Sequence, residues 1–157
     1  MADTWTPSDT NTHQDHVIAH VIGATVLAYI VLDEVLYVLL DIGFVWNIFL
    51  DGEMGLLPHP VAVNELEVDN QTREQIKKEI DGILSGRTQD LVQLAQPAVA
   101  CLLTEVNLFA SDDRRLLVLA GEPGSLEIET SLESGTIELR EWKSDIKNQR
   151  PEPVSDL

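Results

Sequence analysis

From Val17 to Leu50 the chain carries only three charged side chains, Asp33, Glu34 and Asp41, and so long an apolar stretch has few ways to stay folded in water. Asp33 and Glu34 split it into two runs, 17–32 and 35–50, each of 16 residues. Both fall short of the roughly 20 residues a helix needs to cross a hydrocarbon layer. Asp41 and Asn47 interrupt the second run, and no Lys or Arg flanks either one, so a membrane is not an expected partner. The density of Val, Ile and aromatic residues favours strands buried on both faces instead.

In the first run, a short helix over the histidines leading into a strand after Gly23 reconciles the Ala content with the β-branched VIGATVLAYIVL. In the second, EVLYVLLD and FVWNIFL read as strands. Asp51 and Gly52 read as the central pair of a type I′ hairpin turn into EMGLL, since both residue types tolerate positive φ. The PHP of residues 58–60 ends this extended region.

A different period begins near Asn64. Asn70 or Thr72 is a candidate N-cap, with Gln75 in the capping-box position after Thr72. Ile76, Ile80, Ile83 and Leu84 share one helical face, which puts Lys77, Lys78 and Glu79 on the wet side. Thr88 can cap a short helix through DLVQLAQ, interrupted by Pro97, and Val99, Leu102, Leu103 and Val106 resume a helical spacing. A central helical stretch from about 71 to 109 is the expectation. RRLLVLAG, SLEIETSL and TIELREW then alternate as strands, the last two joined by a turn around Glu133, Ser134 and Gly135.

Strands and helices do not alternate regularly, so the expected fold is α+β: a mixed or antiparallel β-sheet packed against a central helical segment, ending in a three-stranded antiparallel meander. One domain over 13–147 is expected between flexible polar tails at 1–12 and 148–157. Trp5 is the exception in the first tail, and the sequence does not choose between docking and mobility for it. MADTWTPSDTNTHQD has neither the cationic region nor the apolar core of a signal peptide. The only cysteine, Cys101, sits in AVACLL and reads as a buried inert thiol, and a chain without an intrachain disulfide fits a reducing cytoplasm.

Charge narrows the partners. Against 27 acidic residues stand 10 basic ones, and residues 1–72 hold 11 acidic residues with no Lys or Arg at all. Such a field repels phosphate backbones, so nucleic acid is an unexpected partner, whereas a cationic protein surface suits it. Asp33, Glu34, Asp51 and Glu53, with Trp46 from an aromatic-rich strand, are the candidate interaction residues. The aromatic residues also suggest self-association as a homodimer.

HQDHVIAH concentrates three of the four histidines. His16 and His20, four apart, share a face in helix or strand and are the candidate ligands for a divalent metal. Zinc wants three or four protein ligands. The missing one would come from His13, His59, Asp41, Asp51 or Glu53, and no carboxylate lies between the two histidines in the manner of a metalloprotease helix. No cofactor is expected. Asp41, between Leu40 and Ile42, reads as a strand-end residue capping the turn before Gly43. The glycine-containing stretches match no nucleotide-binding loop, and no Ser sits in a nucleophile elbow. The leading expectation is therefore a non-catalytic, acidic protein-interaction or regulatory domain. The alternatives are a metal-dependent enzyme around His16 and His20, and a small-ligand module whose apolar pocket uses Asn47 or Tyr37.

Overall fold

A computed structural model describes residues 5–58, 63, 64, 66, 68–87 and 91–143. The elements follow in the order β1 (Thr6–Pro7), α1 (Thr12–Val21), β2 (Thr25–Leu32), β3 (Val35–Leu40), β4 (Phe44–Phe49), β5 (Met54–Pro58), α2 (Asn70–Leu84), β6 (Cys101–Ser111), β7 (Arg114–Ser131) and β8 (Thr136–Lys143). All strand pairs are antiparallel, in the order β5-β4-β3-β2-β6-β7-β8, with β1 laid beside β6.

This corrects the expected architecture. The protein is mostly antiparallel sheet, and no central helical segment runs from 71 to 109. Helix α2 stops at Leu84, where Gly86 turns the chain at a φ of 74°, and residues 101–111 form a strand instead of a helix. A β-bulge misled the reading. The pairing of β6 with β7 slips between Leu103 and Glu105, so the core face passes from Cys101 and Leu103 to Val106 and Leu108. An extra residue in a strand changes a spacing of two into three, which imitates a helical repeat. The short helix expected through DLVQLAQ is also absent over its described residues: Leu91–Gln96 begins an irregular strap, bent at Val92 and Gln93 and running on to Ala98, whose Ala95 bridges to Tyr29 of β2.

Two blades make up the sheet. Strands β2–β5 form the first, and β6–β8 the second. They are joined by only two ladder pairs, Thr25 with Leu102 and Val26 with Cys101. Beyond these β2 leaves β6 and takes Ala95 as its neighbour. Strand β7 doubles back at Glu122–Pro123, so that Leu132 N–H donates to the Asp113 carbonyl at 2.8 Å and Arg114 reaches Glu129 at 3.0 Å. Its first half pairs with β6 and its second with β8.

The blades enclose the main core. Val38, Trp46 and Ile48 of the first meet Leu103, Leu119 and Ile128 of the second, and α1 contributes Val17 and Val21. A smaller core lies on the outer face of the first blade, where Ile76 and Ile80 of α2 cover Ala28, Leu39 and Val45. Strands β2–β4 are thus covered on both sides, which is why their sequence is almost continuously apolar.

Local chemistry sets each helix start. Asn11 caps α1 by accepting the Gln14 N–H at 2.7 Å, while the Gln14 side chain accepts the Asn11 N–H at 3.0 Å. Asp69, rather than Asn70 or Thr72, caps α2 by accepting the Thr72 N–H, and that bond holds its carboxyl below the usual range. Helix α1 also closes the outer side of β5. The Glu53 carbonyl accepts the Phe49 N–H at 2.8 Å, so the alternation of an antiparallel ladder turns the Met54 carbonyl outward. There His13 Nε2 donates to it at 3.1 Å, and Gln14 Nε2 donates to the Gly52 carbonyl at 3.0 Å.

The first part of the expected N-terminal tail is placed: Trp5 stacks on the Arg114 guanidinium at 5.2 Å, and Thr6 and Pro7 pair with Ala110 and Phe109. The expected tail at 148–157 lies outside the described residues. No helix among the described residues is long and apolar enough to cross a membrane.

Candidate functional site: an acidic cleft at the tips of two hairpins

Three turns build the site. Asp33 and Glu34 form the two-residue turn between β2 and β3, where Leu32 pairs with Val35 and Asp33 takes a φ of 54°. The β4–β5 connection corrects the expected two-residue type I′ turn. Phe49 and Glu53 face each other, so Leu50, Asp51 and Gly52 make a three-residue loop with only Gly52 at positive φ (94°). Asp51 Oδ1 accepts the Glu53 N–H at 3.0 Å and fixes that loop. The third side comes from the second blade, where Leu132 follows β7.

Hydrogen bonds draw the three together. Leu50 N–H donates to the Glu34 carbonyl at 3.1 Å, and Thr130 Oγ1 donates to the Leu50 carbonyl at 2.7 Å. Between them opens a cleft of about 320 Å³ lined by Glu34, Val35, Phe49, Leu50, Asp51, Glu53 and Leu132. Its floor is apolar, with Phe49 37% and Leu132 40% exposed, its rim carries three carboxylates, and among the described residues no cation lines it.

Four of the five candidate interaction residues therefore belong to one end of the first blade. Glu34, Asp51 and Glu53 line the cleft, and Asp33 shares the turn of Glu34. Trp46 does not join them: it is 0% exposed between the blades, and its indole N–H has no acceptor among the described residues. Sequence reasoning counted Phe49 only among the aromatic residues of the first half and missed Leu132. A spacing argument marks the turns but not which turns of separate hairpins meet.

The histidines part company. His16 and His20 are exposed on α1 with ring centroids 4.9 Å apart, and His20 Nδ1 donates to the His16 carbonyl at 2.9 Å. His13 is engaged by Met54. His59 lies outside the described residues. No group of three or more His, Cys, Asp or Glu placed to hold a metal occurs among the described residues. Asp41 is exposed, and its carboxylate accepts the N–H of Thr25 on the neighbouring strand at 2.9 Å rather than capping the turn before Gly43. Under α2 the smaller core leaves a gap of about 20 Å³ with Tyr37 in its apolar lining, room for about one water molecule. Asn47 is buried opposite Gly55 and does not line it.

Two carboxylates do a structural job the sequence did not disclose. Glu79, expected on the wet side of α2, is 0% exposed. It accepts the N–H groups of Val92, Gln93 and Leu94 at 2.9–3.2 Å and the Gln75 amide at 2.7 Å. Burial alone would push its pKa up, but the bonds from Gln75, Leu94, Val92 and Gln93 prevail and hold it below the usual carboxylate range. Glu141 of β8 holds the other end of the strap, accepting the Ala98 N–H at 2.9 Å and the Tyr29 hydroxyl at 2.8 Å. Burial, then the bond and charge of Glu141, push the Tyr29 phenol up to about 12.

Cys101 is buried, and burial pushes its thiol up to about 11. The native protein is therefore expected to resist a thiol-alkylating reagent at pH 8 and to take up one equivalent once unfolded in denaturant. Rapid native labelling, followed by mass spectrometry, would show the site to be open.

Comparison with known protein families, with curated proteins and with solved structures found no match to this chain.

Proposed function

We propose that this protein is a non-catalytic protein-interaction module and that its acidic cleft holds a cationic segment of a partner protein. The supporting observation is the pairing of an exposed apolar floor, Phe49 and Leu132, with the carboxylates of Glu34, Asp51 and Glu53 and no lining cation among the described residues. The carboxylates speed encounter and orient the partner, and the apolar floor supplies contact energy after docking. The rest of the Lys- and Arg-free first 72 residues extends the same negative field.

The test uses a short synthetic peptide of alternating basic and apolar residues, titrated at low and high salt. Replacing Glu34, Asp51 and Glu53 together by Lys is expected to weaken binding at low salt by about tenfold or more and to flatten its salt dependence, with melting lowered only by the loss of the Asp51 bond to the Glu53 N–H, since all three side chains are exposed; Asp51→Lys alone measures that loss. Equal binding by the triple variant overturns the reading.

A further inference from the structure

We infer that the cleft selects arginine over lysine: it takes one arginine side chain of the partner, with its aliphatic stem on Leu50 and Leu132 and its guanidinium against the Phe49 ring and the carboxylates of Glu34 and Glu53. This rests on the reading of the cleft as a site for a cationic protein segment. At about 320 Å³ the cleft stands at the small end of the range for ligand pockets, about 300–1,000 Å³, which suits one long side chain better than a folded surface.

Charge alone would not separate the two cations; the groups beside the carboxylates do. Asp51 has already committed Oδ1 to the Glu53 N–H, whereas Glu53 and Glu34 keep carboxylate oxygens for a planar donor fork, Glu34 with its Oε2 beside Gly135. Beside them Phe49 shows a partly exposed ring. A guanidinium stacks on an aromatic face and still donates in its own plane. An ammonium is a compact, strongly hydrated charge that gives up more solvation for the same contact. The molecule contains an arginine held in this manner: the Arg114 guanidinium lies 5.2 Å from the Trp5 ring and donates to Glu129 at 3.0 Å. The cleft offers the same two partners, aromatic ring and carboxylate, to an arginine from outside.

The experiment compares two short peptides, identical except for a central Arg or Lys flanked by Gly and Leu, titrated into the full chain and followed by amide chemical shifts. The Arg peptide is expected to bind about fivefold or more tightly, with the largest shifts around 33–35 and 49–53. Phe49→Leu should reduce the Arg peptide to the level of the Lys peptide, while Phe49→Tyr, which keeps the ring, should preserve the preference. Equal binding of both peptides to the unaltered protein, or an undiminished preference in Phe49→Leu, overturns the selection of arginine. The cationic-partner reading then still stands, provided the triple charge reversal abolishes binding. No shift with either peptide up to about 10 mM overturns both.

Discussion

Glu79→Leu is expected to lower the unfolding free energy by roughly 2–4 kcal/mol, because it removes a buried acceptor from under three consecutive N–H groups of the strap. The loss is one of partners more than of volume, since Leu fills similar space but accepts nothing. Glu79→Gln should also destabilise, because one carbonyl oxygen replaces two and the amide turns donors toward donors. The pH dependence follows from the direction of the shift. The folded-state pKa lies below the unfolded value of about 4.3, so the stabilisation is fully present above that value and is lost as pH falls through the folded one. Urea unfolding at pH 7 and in acid checks both points. The gap between wild type and Glu79→Gln should narrow in acid, and a gap that stays constant would remove the carboxylate from the explanation.

Trp46→Ala is expected to cost about 3–5 kcal/mol, the usual penalty for emptying a large aromatic site in a closed core. Trp46→Phe should cost far less, because it keeps most of the packing and removes an indole N–H that has no acceptor among the described residues. Had Trp46 been a contact residue on an aromatic face, Ala would have spared stability and impaired binding. Chemical denaturation of both variants, with peptide titration of the Phe variant, distinguishes the roles. A stable Trp46→Ala protein would contradict its place between the blades.

The two N-terminal apolar runs were legible because burial on both faces leaves so few alternatives to Val, Ile and Leu. Alternation marked SLEIETSL and TIELREW as strands, but not the burial of both faces of the first: Ser125 and Glu127, expected on the wet face, are 2% and 3% exposed, with Glu127 against Arg140. Helix α2 was readable from Ile76 and Ile80, yet its polar side was not. Glu79 resembles any solvated glutamate until the strap, 13 to 15 residues further on, supplies its donors. The bulge in β6 hid a strand behind a helical spacing, and no local propensity corrects that. The decisive fact is that Cys101 stands between Val26 and Pro123, one partner far upstream and the other downstream. For the cleft, sequence marked Glu34, Asp51 and Glu53 as unbalanced charge but did not reveal that Leu132 of the second blade would meet Phe49 of the first. Juxtaposition of separate hairpins is tertiary information.

The side chains of His13 and Gln14 on the outer side of β5 also bear on how copies of this protein can meet. A bare sheet edge is a template on which another chain can add a strand, the elementary step of fibril growth. Here the outward carbonyls of Gly52 and Met54 are already bonded, and Pro58 at the end of the strand has no N–H to offer. The first helix thus caps the start of that edge. On the far side, β8 presents the exposed carboxylate of Glu138, while Arg140 is already engaged by Glu127 and Glu129, and Glu141 by Ala98 and Tyr29. A second copy that continued the ladder through the start of β5 would first have to displace these bonds of the protein's own helix.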